Sequence, residues 1–486
     1  MKQTSWQLIY PKYEGVTKRA LEFLNTELSK HLIRESGDYI IHVLPCILEK
    51  EGIEISENAV IVGAYADSAL VRRYVTAEEM AECDYLVKAV PNEAAPDTSL
   101  IIVTAKEEAN IYIAACEFID GYIYEHSPEH STQRRVDLFF DNPIPHAKRS
   151  GKLYSKTRSI FAWGHALNDY RSYFKDMARQ GLNQLILWND YAPINARDIV
   201  ECAHSYGIEM IWGFQWGWSE GSCKKYWDLS EGALAKLKAS VIADYKNQWQ
   251  GVGDGIYFQS FTEHGEDYID GKLVAAVVTD FVNDVAASLY EINPELKIQF
   301  GLHATSVMKH PEEIARVDGR IEILWEDCGS FPYEYSPNGK DEERYEKTLE
   351  FTKTIINLRG KTAKTGLVYK GFAVLDWARG KFVHQRGPFI LGDNAKEVSV
   401  HDRALRDTVF WRRYSAGWIK YGERARRMTE LIINETGGEV NLCMAGAFDG
   451  EIWMPSAICS EIFKNPYRPY DDIVEELLQR KYIKVD

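Results

Sequence analysis

From about residue 157 onward, short apolar runs recur at intervals, separated by stretches with helical spacing. The runs are Ser159–Trp163, Gln184–Trp188, Glu209–Phe214, Gly255–Phe258, Lys297–Phe300, Ile321–Trp325, Gly366–Tyr369 and Val440–Met444. Runs this short, rich in β-branched and aromatic residues and bounded by turn residues, read as buried strands. Between them, Asp169–Gln180, Ala196–Tyr206 and Leu273–Tyr290 repeat apolar residues at the period of a helix. The acidic run Asp341–Glu346 reads as a helix start. Eight strands alternating with helices predict an α/β fold, a (β/α)8 TIM barrel over residues 151–486 that closes with C-terminal helices. A doubly wound open sheet is the alternative, but no Gly-x-Gly-x-x-Gly turn follows any of the runs.

Residues 1–150 carry a different pattern. Ala59–Gly63 and Leu100–Thr104 are strand-like, and Glu107–Tyr124 has helical spacing. These predict a small α/β domain in front of the barrel, with Asp141–His146 as the linker.

Composition narrows the partners. A hydrophobic fraction of 45% supports a large core. A net charge of −15 argues against nucleic acid, since phosphate binding needs a basic face. No run is long enough to span a bilayer, and the N-terminus lacks the apolar core of a secretory signal. The eight cysteines are scattered without a Cys-x-x-Cys pair, which fits a reduced, cytoplasmic protein. The 13 tryptophans and 28 tyrosines fill cores, and the same rings stack on sugar faces.

In a barrel of this kind the chemistry sits at the C-terminal ends of the strands. The residues there are Trp163 and His165 at the first strand, Trp188, Asn189 and Asp190 at the second, and Gln215, Trp216 and Trp218 at the third. The fourth is followed by Gln259, Glu263 and His264, and the fifth by His303. Trp325, Glu326 and Asp327 close the sixth, Asp376 and Trp377 follow the seventh, and Asp449 and Glu451 the eighth. Carboxylates, imidazoles, amides and indoles on one rim suit carbohydrate chemistry. Glycoside cleavage needs one carboxylic acid to protonate the leaving oxygen and a second carboxylate as nucleophile or base. Glu263 is the strongest candidate for the acid, because it follows a strand that begins at a glycine and turns apolar. Phe261 beside it could supply the desolvation that raises an acid's pKa. Beyond the seventh strand, Arg379, Lys381, His384 and Arg386 form a basic loop that could bind an acidic sugar or simply face solvent.

Residues 181–267 resemble the α-glucuronidases of glycoside hydrolase family 67. The resemblance is carried by "GLNQLILWND", "AHSYGIEMIWGFQWGWS", "YWDLSEGALAKLKA" and "GDGIYFQSFTEHGED", with Glu263 at the place of the family's general acid. The close, "WMPSAICSEIFKNPYRPYDDIVEELLQRKYI", also resembles that family, and "LIIVTAKEEANIYIAACEFIDGYI" resembles the accessory domain in front of several glycoside hydrolase barrels. The resemblance implies an exo-acting, inverting glycosidase that needs no cofactor and no metal, with an oligosaccharide as its partner. A homodimer is left open. The chain departs from the family where a uronate would be held. The family's lysine before the acid is Gln259, its sixth-strand lysine is Glu326, and the arginine expected after the fifth strand is missing from "FGLHAT". The second carboxylate is accordingly Asp327 or Asp376 as a base for water, with Glu326 or Asp327 as nucleophile on a retaining route. Trp163, His165, Asn189, Asp190, Gln215, Trp216, Gln259, His264, His303, Trp325, Trp377 and Arg386 are the expected sugar-binding set.

Three other functions compete. A substrate-assisted, hexosaminidase-like glycosidase would carry adjacent carboxylates after the fourth strand, where Thr262 precedes Glu263. A non-catalytic carbohydrate-binding protein on a degenerate barrel would explain the displaced carboxylates. A metal-dependent enzyme would use His165, His264 and His303, but no His-x-His spacing occurs.

Overall fold

The computed structural model describes residues 6–29, 44–124, 148–164, 167–189, 191–216, 228–260, 266–303, 309–326, 342–360, 363–369, 387–392, 408–445, 451–480 and 482–485. They fall into two compact units. The first comprises residues 1–153 with short pieces at 178–181 and 203–207, and the second comprises the rest of the chain.

The first unit is built on a six-stranded sheet. Its strands are β1 (Trp6–Tyr10), β2 (Cys46–Leu48), β3 (Asn58–Ala64), β4 (Tyr85–Pro91), β5 (Ser99–Ala105) and β6 (Lys148–Gly151), in the order β2-β1-β3-β5-β4-β6. β1, β2, β3 and β5 run parallel, and β4 pairs antiparallel with β5 and β6. Every residue of β3 is buried, as expected for a parallel strand covered on both faces. One face packs Ile9, Ala59, Ile61, Leu100 and Ile102 against Leu70, Val71 and Met80 of the two short helices Ala69–Tyr74 and Ala77–Ala81. At the carboxyl edge of the parallel strands, Lys12 pairs with Glu108 at 2.6 Å and Asp67 at 2.9 Å. Glu108 also accepts from the Thr17 hydroxyl at 3.1 Å, near the start of the helix Gly15–Ser29. That crevice, where strand order reverses between β1 and β3, is a common ligand position in open α/β sheets. Here the protein's own carboxylate sits on the helix start.

The second unit is a closed barrel of eight parallel strands. They are β7 (Thr157–Trp163), β8 (Gln184–Trp188), β9 (Glu209–Gly213) and β10 (Gly255–Gln259), then, after a small hairpin of β11 (Tyr268–Ile269) and β12 (Lys272–Leu273), β13 (Lys297–His303), β14 (Glu322–Glu326), β15 (Thr365–Tyr369) and β16 (Asn441–Ala445). Each strand pairs with the next in sequence, and β16 closes on β7. The eight runs expected from the apolar pattern are these eight strands.

Alternation sorts the side chains. Phe161, Ile186, Ile211, Tyr257, Leu324, Val368, Cys443 and Ala445 meet inside the barrel, with Trp163 and Trp188 packed on them. Below this layer lies a polar floor. Gln299 donates to Gln184 at 2.9 Å and to Glu322 at 2.6 Å, Asn441 donates to Gln184 at 2.9 Å and Glu322 at 3.1 Å, and Ser159 donates to Asn441 at 2.5 Å. Burial pushes the Glu322 carboxyl above its ordinary range, and the two amides pull against that shift. Conserving shape at the strand starts is a matter of stability in such barrels, so Glu322 belongs to the framework.

The helix Met454–Lys464 is buried along its whole length. It carries Glu461, which accepts from Lys464 at 2.6 Å and Arg480 at 3.2 Å and lies 3.5 Å from Arg468. Burial pushes Glu461 up, but the three cations outweigh it and hold the carboxyl well below the usual range. Among the described residues, no helix is long and apolar enough to cross a membrane, and Cys46, Cys83, Cys443 and Cys459 are free thiols.

Candidate active site at the carboxyl end of the barrel

Glu326 is the last residue of β14 and is only 3% exposed. It shares its parity with Leu324 of the interior cluster, so its carboxylate turns into the mouth of the barrel. There the Tyr257 phenol and the Gln259 amide (2.9 Å) both donate to Glu326 Oε1, and Gln259 also donates to the Tyr257 oxygen at 3.2 Å. Tyr257 and Gln259 lie two apart on β10, and β13 runs between β10 and β14. The hydrogen bonds therefore reach across an intervening strand. Gly301 is what lets them: a Cβ at that position would collide with both the Tyr257 hydroxyl and Glu326 Oε1.

Tyr257 is itself held. Its ring is fully buried, with Phe161 at 5.2 Å and Trp188 at 6.2 Å, both edge-on. Burial, and then the neighbouring Glu326 charge, push the phenol well above its ordinary pKa. It stays protonated and so remains a donor. A buried carboxylate needs such donors, because an unpaired charge in this setting is costly.

Above this group lie two indoles. Trp163 ends β7 and packs edge-on to Phe161 at 4.8 Å. Trp188 ends β8 beside it in register. Gly213, the last residue of β9, makes room for the second indole, since a Cβ there would stand 3.0 Å from Trp188 Cε3. Both indoles are partly exposed. Cys443 completes the wall, its thiol pushed far up by burial and therefore inert as a nucleophile.

The sequence-derived set divides as follows. Trp163, Gln259 and Glu326 come together at the mouth. Asn189 is 2% exposed, with its side-chain oxygen lying against the Cα of Gly164, and Gln215 is exposed. His303 ends β13, in register with Glu326. Trp216 and Trp325 are corrected. Trp216 is 0% exposed and stacks on Phe258 at 3.7 Å, which in turn stacks on Phe300 at 4.8 Å. Trp325 is 5% exposed, donates its indole N–H to Thr352 at 3.0 Å and meets Phe351 edge-on. Alternation sends Trp325 to the outer face of the sheet, against the helix Glu342–Asn357, while Trp216, three residues beyond the end of β9, is held in the stack with Phe258. Glu263, His264, His165, Asp190, Asp327, Asp376, Trp377 and Arg386 lie outside the described residues. Tyr257 and Gly301 were not expected from the sequence. The signal for Tyr257 was its position two residues before Gln259, on the same face of one strand. Among the described residues, no group of three or more His, Cys, Asp or Glu is arranged to hold a metal ion.

No protein-family model matches the chain, and no curated protein matches it. Solved structures do align with it. A family GH115 4-O-methyl-α-glucuronidase with specificity for decorated arabinogalactans is 11% identical, with 97% of this chain and 58% of that one covered, at a TM-score of 0.49. A GH138 enzyme targeting pectin rhamnogalacturonan II is 10% identical, with 98% and 51% covered and a TM-score of 0.48. A β-N-acetylhexosaminidase from Bacteroides fragilis is 12% identical, with 98% and 86% covered and a TM-score of 0.45. The chain thus spans little more than half the length of the first two.

Proposed function

We propose that this chain is an exo-acting glycoside hydrolase, α-glucuronidase-like in its barrel, that removes a terminal sugar from an oligosaccharide by carboxylate acid and base chemistry. The observation that carries this reading is Glu326: a buried carboxylate, supplied with two donors and overlooked by the partly exposed Trp163 and Trp188, at the end of the barrel where such folds work. Aromatic faces for C–H surfaces and polar groups for hydroxyls are what a sugar pocket requires.

Glu263 follows Gln259 by four residues and is assigned as the acid that protonates the glycosidic oxygen. The second carboxylate comes from the sixth or seventh strand end: Glu326, Asp327 or Asp376. A separation of ~6.5–9.5 Å between the two carboxyls would give inversion, and ~5–5.5 Å retention. Residues 1–150, which make up most of the first unit, are assigned as the accessory domain of such an enzyme. Among the described residues, no lysine or arginine ends a barrel strand; Lys370, directly after β15, and Arg386 lie outside them, and these two are assigned as candidates for selecting a uronate.

The test is incubation of the protein and its Glu263→Gln variant with oligosaccharides capped by neutral or uronic acid sugars, with released sugars read by mass spectrometry. Release by the wild type alone supports the reading, and the sugar released names the substrate. Binding without release from any of them would mean a carbohydrate-binding barrel instead.

A further inference from the structure

We propose that Tyr257 is a positioning residue whose phenol keeps Glu326 ionised and fixed at the barrel mouth. This rests on the hydrolase reading, within which it makes Glu326, of the three carboxylates open for the role, the partner of Glu263. Glu326 is a carboxylate almost wholly removed from water, and burial by itself favours its neutral form. Two donors on one strand face it, Tyr257 and Gln259, and hydrogen bonds to the charged form oppose that shift. The arrangement is built rather than incidental. The phenol reaches its acceptor only across the bare Cα of Gly301, and its ring is clamped by Phe161 and Trp188. The contrast is Glu322, four residues earlier on the same strand: among the described residues its hydrogen-bond donors are the amides of Gln299 and Asn441, and no phenol reaches it. A carboxylate kept charged and immobile by a phenol suits attack or electrostatic stabilisation at the sugar carbon and does not suit proton donation, which stays with Glu263.

The experiment uses the full chain and does not depend on activity. The carboxylate stretch of Glu326 is isolated by infrared difference between wild type and Glu326→Gln and followed against pH, then measured again in Tyr257→Phe. The phenol's loss should raise the Glu326 midpoint by about one pH unit or more, since hydrogen bonds to charged groups are among the stronger ones. Gln259→Leu, which removes the second donor and with it the Gln259 hydrogen bond to the Tyr257 oxygen but leaves the phenol on Glu326, should shift it the same way by less, and far-ultraviolet circular dichroism checks that both variants fold. In turnover, the acidic limb of kcat/KM should move up with the midpoint in Tyr257→Phe, while KM above that limb stays within about twofold. A midpoint moving by less than about 0.3 units in both variants would overturn the proposal, whatever the activity. The full shift in Tyr257→Phe, together with a wild type that hydrolyses no oligosaccharide, would uphold the pairing and sink the hydrolase reading instead.

Discussion

Replacing Gly301 with alanine adds one methyl at the point where β10 and β14 reach toward each other across β13. That methyl would collide with the Tyr257 hydroxyl and Glu326 Oε1, and it would stand 2.5 Å from Tyr257 Cζ. Neither neighbour can step aside. Tyr257 is locked between Phe161 and Trp188, and β13 is laddered on both edges, so its backbone cannot drift outward. Over-packing a filled interior costs about 1–3 kcal/mol. Separating a phenol from a charged acceptor costs about 1.5–3 kcal/mol more. The two overlap, since the same displacement relieves the one by causing the other, so about 3 kcal/mol is expected for the variant. For a barrel unit of roughly 330 residues, an unfolding entropy of ~2 cal/mol/K per residue converts this to a Tm lower by about 4 °C. The assay is urea unfolding followed by circular dichroism, with the midpoint falling and the slope unchanged. Gly232→Ala is the control. That glycine lies in the helix Glu231–Asp244 with nothing within 4 Å of an added Cβ, so alanine there should stabilise by about 0.4–1 kcal/mol. A Gly301→Ala protein as stable as wild type would refute the close approach of Tyr257 and Glu326, and with it the described geometry of the mouth.

Glu461→Gln leaves Lys464 and Arg480 buried beside a neutral amide and should destabilise by about 3–5 kcal/mol at neutral pH. Because the folded-state pKa of Glu461 is depressed to about 2, its contribution is fully present above the ordinary carboxylate range and is lost as pH falls from that range through about 2, so wild type and variant should converge in stability on acidification. Trp163→Ala should weaken oligosaccharide binding by about tenfold in calorimetry, whereas Trp325→Phe should lower stability by about 1–3 kcal/mol and leave binding unchanged, since only the first indole faces the mouth.

The barrel was legible because strands buried on both faces announce themselves as unbroken apolar runs. Their ends were less so. β13 runs on through Gly301, Leu302 and His303, past the point where the apolar run gives out, and β10 takes in Gln259. Parity explains one misplaced indole: Trp325 sits between Leu324 and Glu326, both of which face inward, so Trp325 faces the helices; Trp216 lies beyond the end of β9, and its stack on Phe258 buries it. A strand-end aromatic is a platform or a packing residue according to that alternation alone. Tyr257 and Gly301 were hidden for a different reason. Their meaning depends on the register of three strands drawn from distant parts of the chain, and no local pattern encodes it.

The proposed division of labour between Glu326 and Glu263 in one cleavage is tested most directly by comparing their variants on two leaving groups. Aryl glycosides of the sugar released in the oligosaccharide assay leave without help from an acid, while the natural linkage needs protonation. Glu263→Gln should lose turnover of the oligosaccharide by about 10²–10⁴-fold yet retain the aryl glycoside within about tenfold. Glu326→Gln should lose both. Retention of wild-type turnover by Glu326→Gln on either substrate would contradict the account.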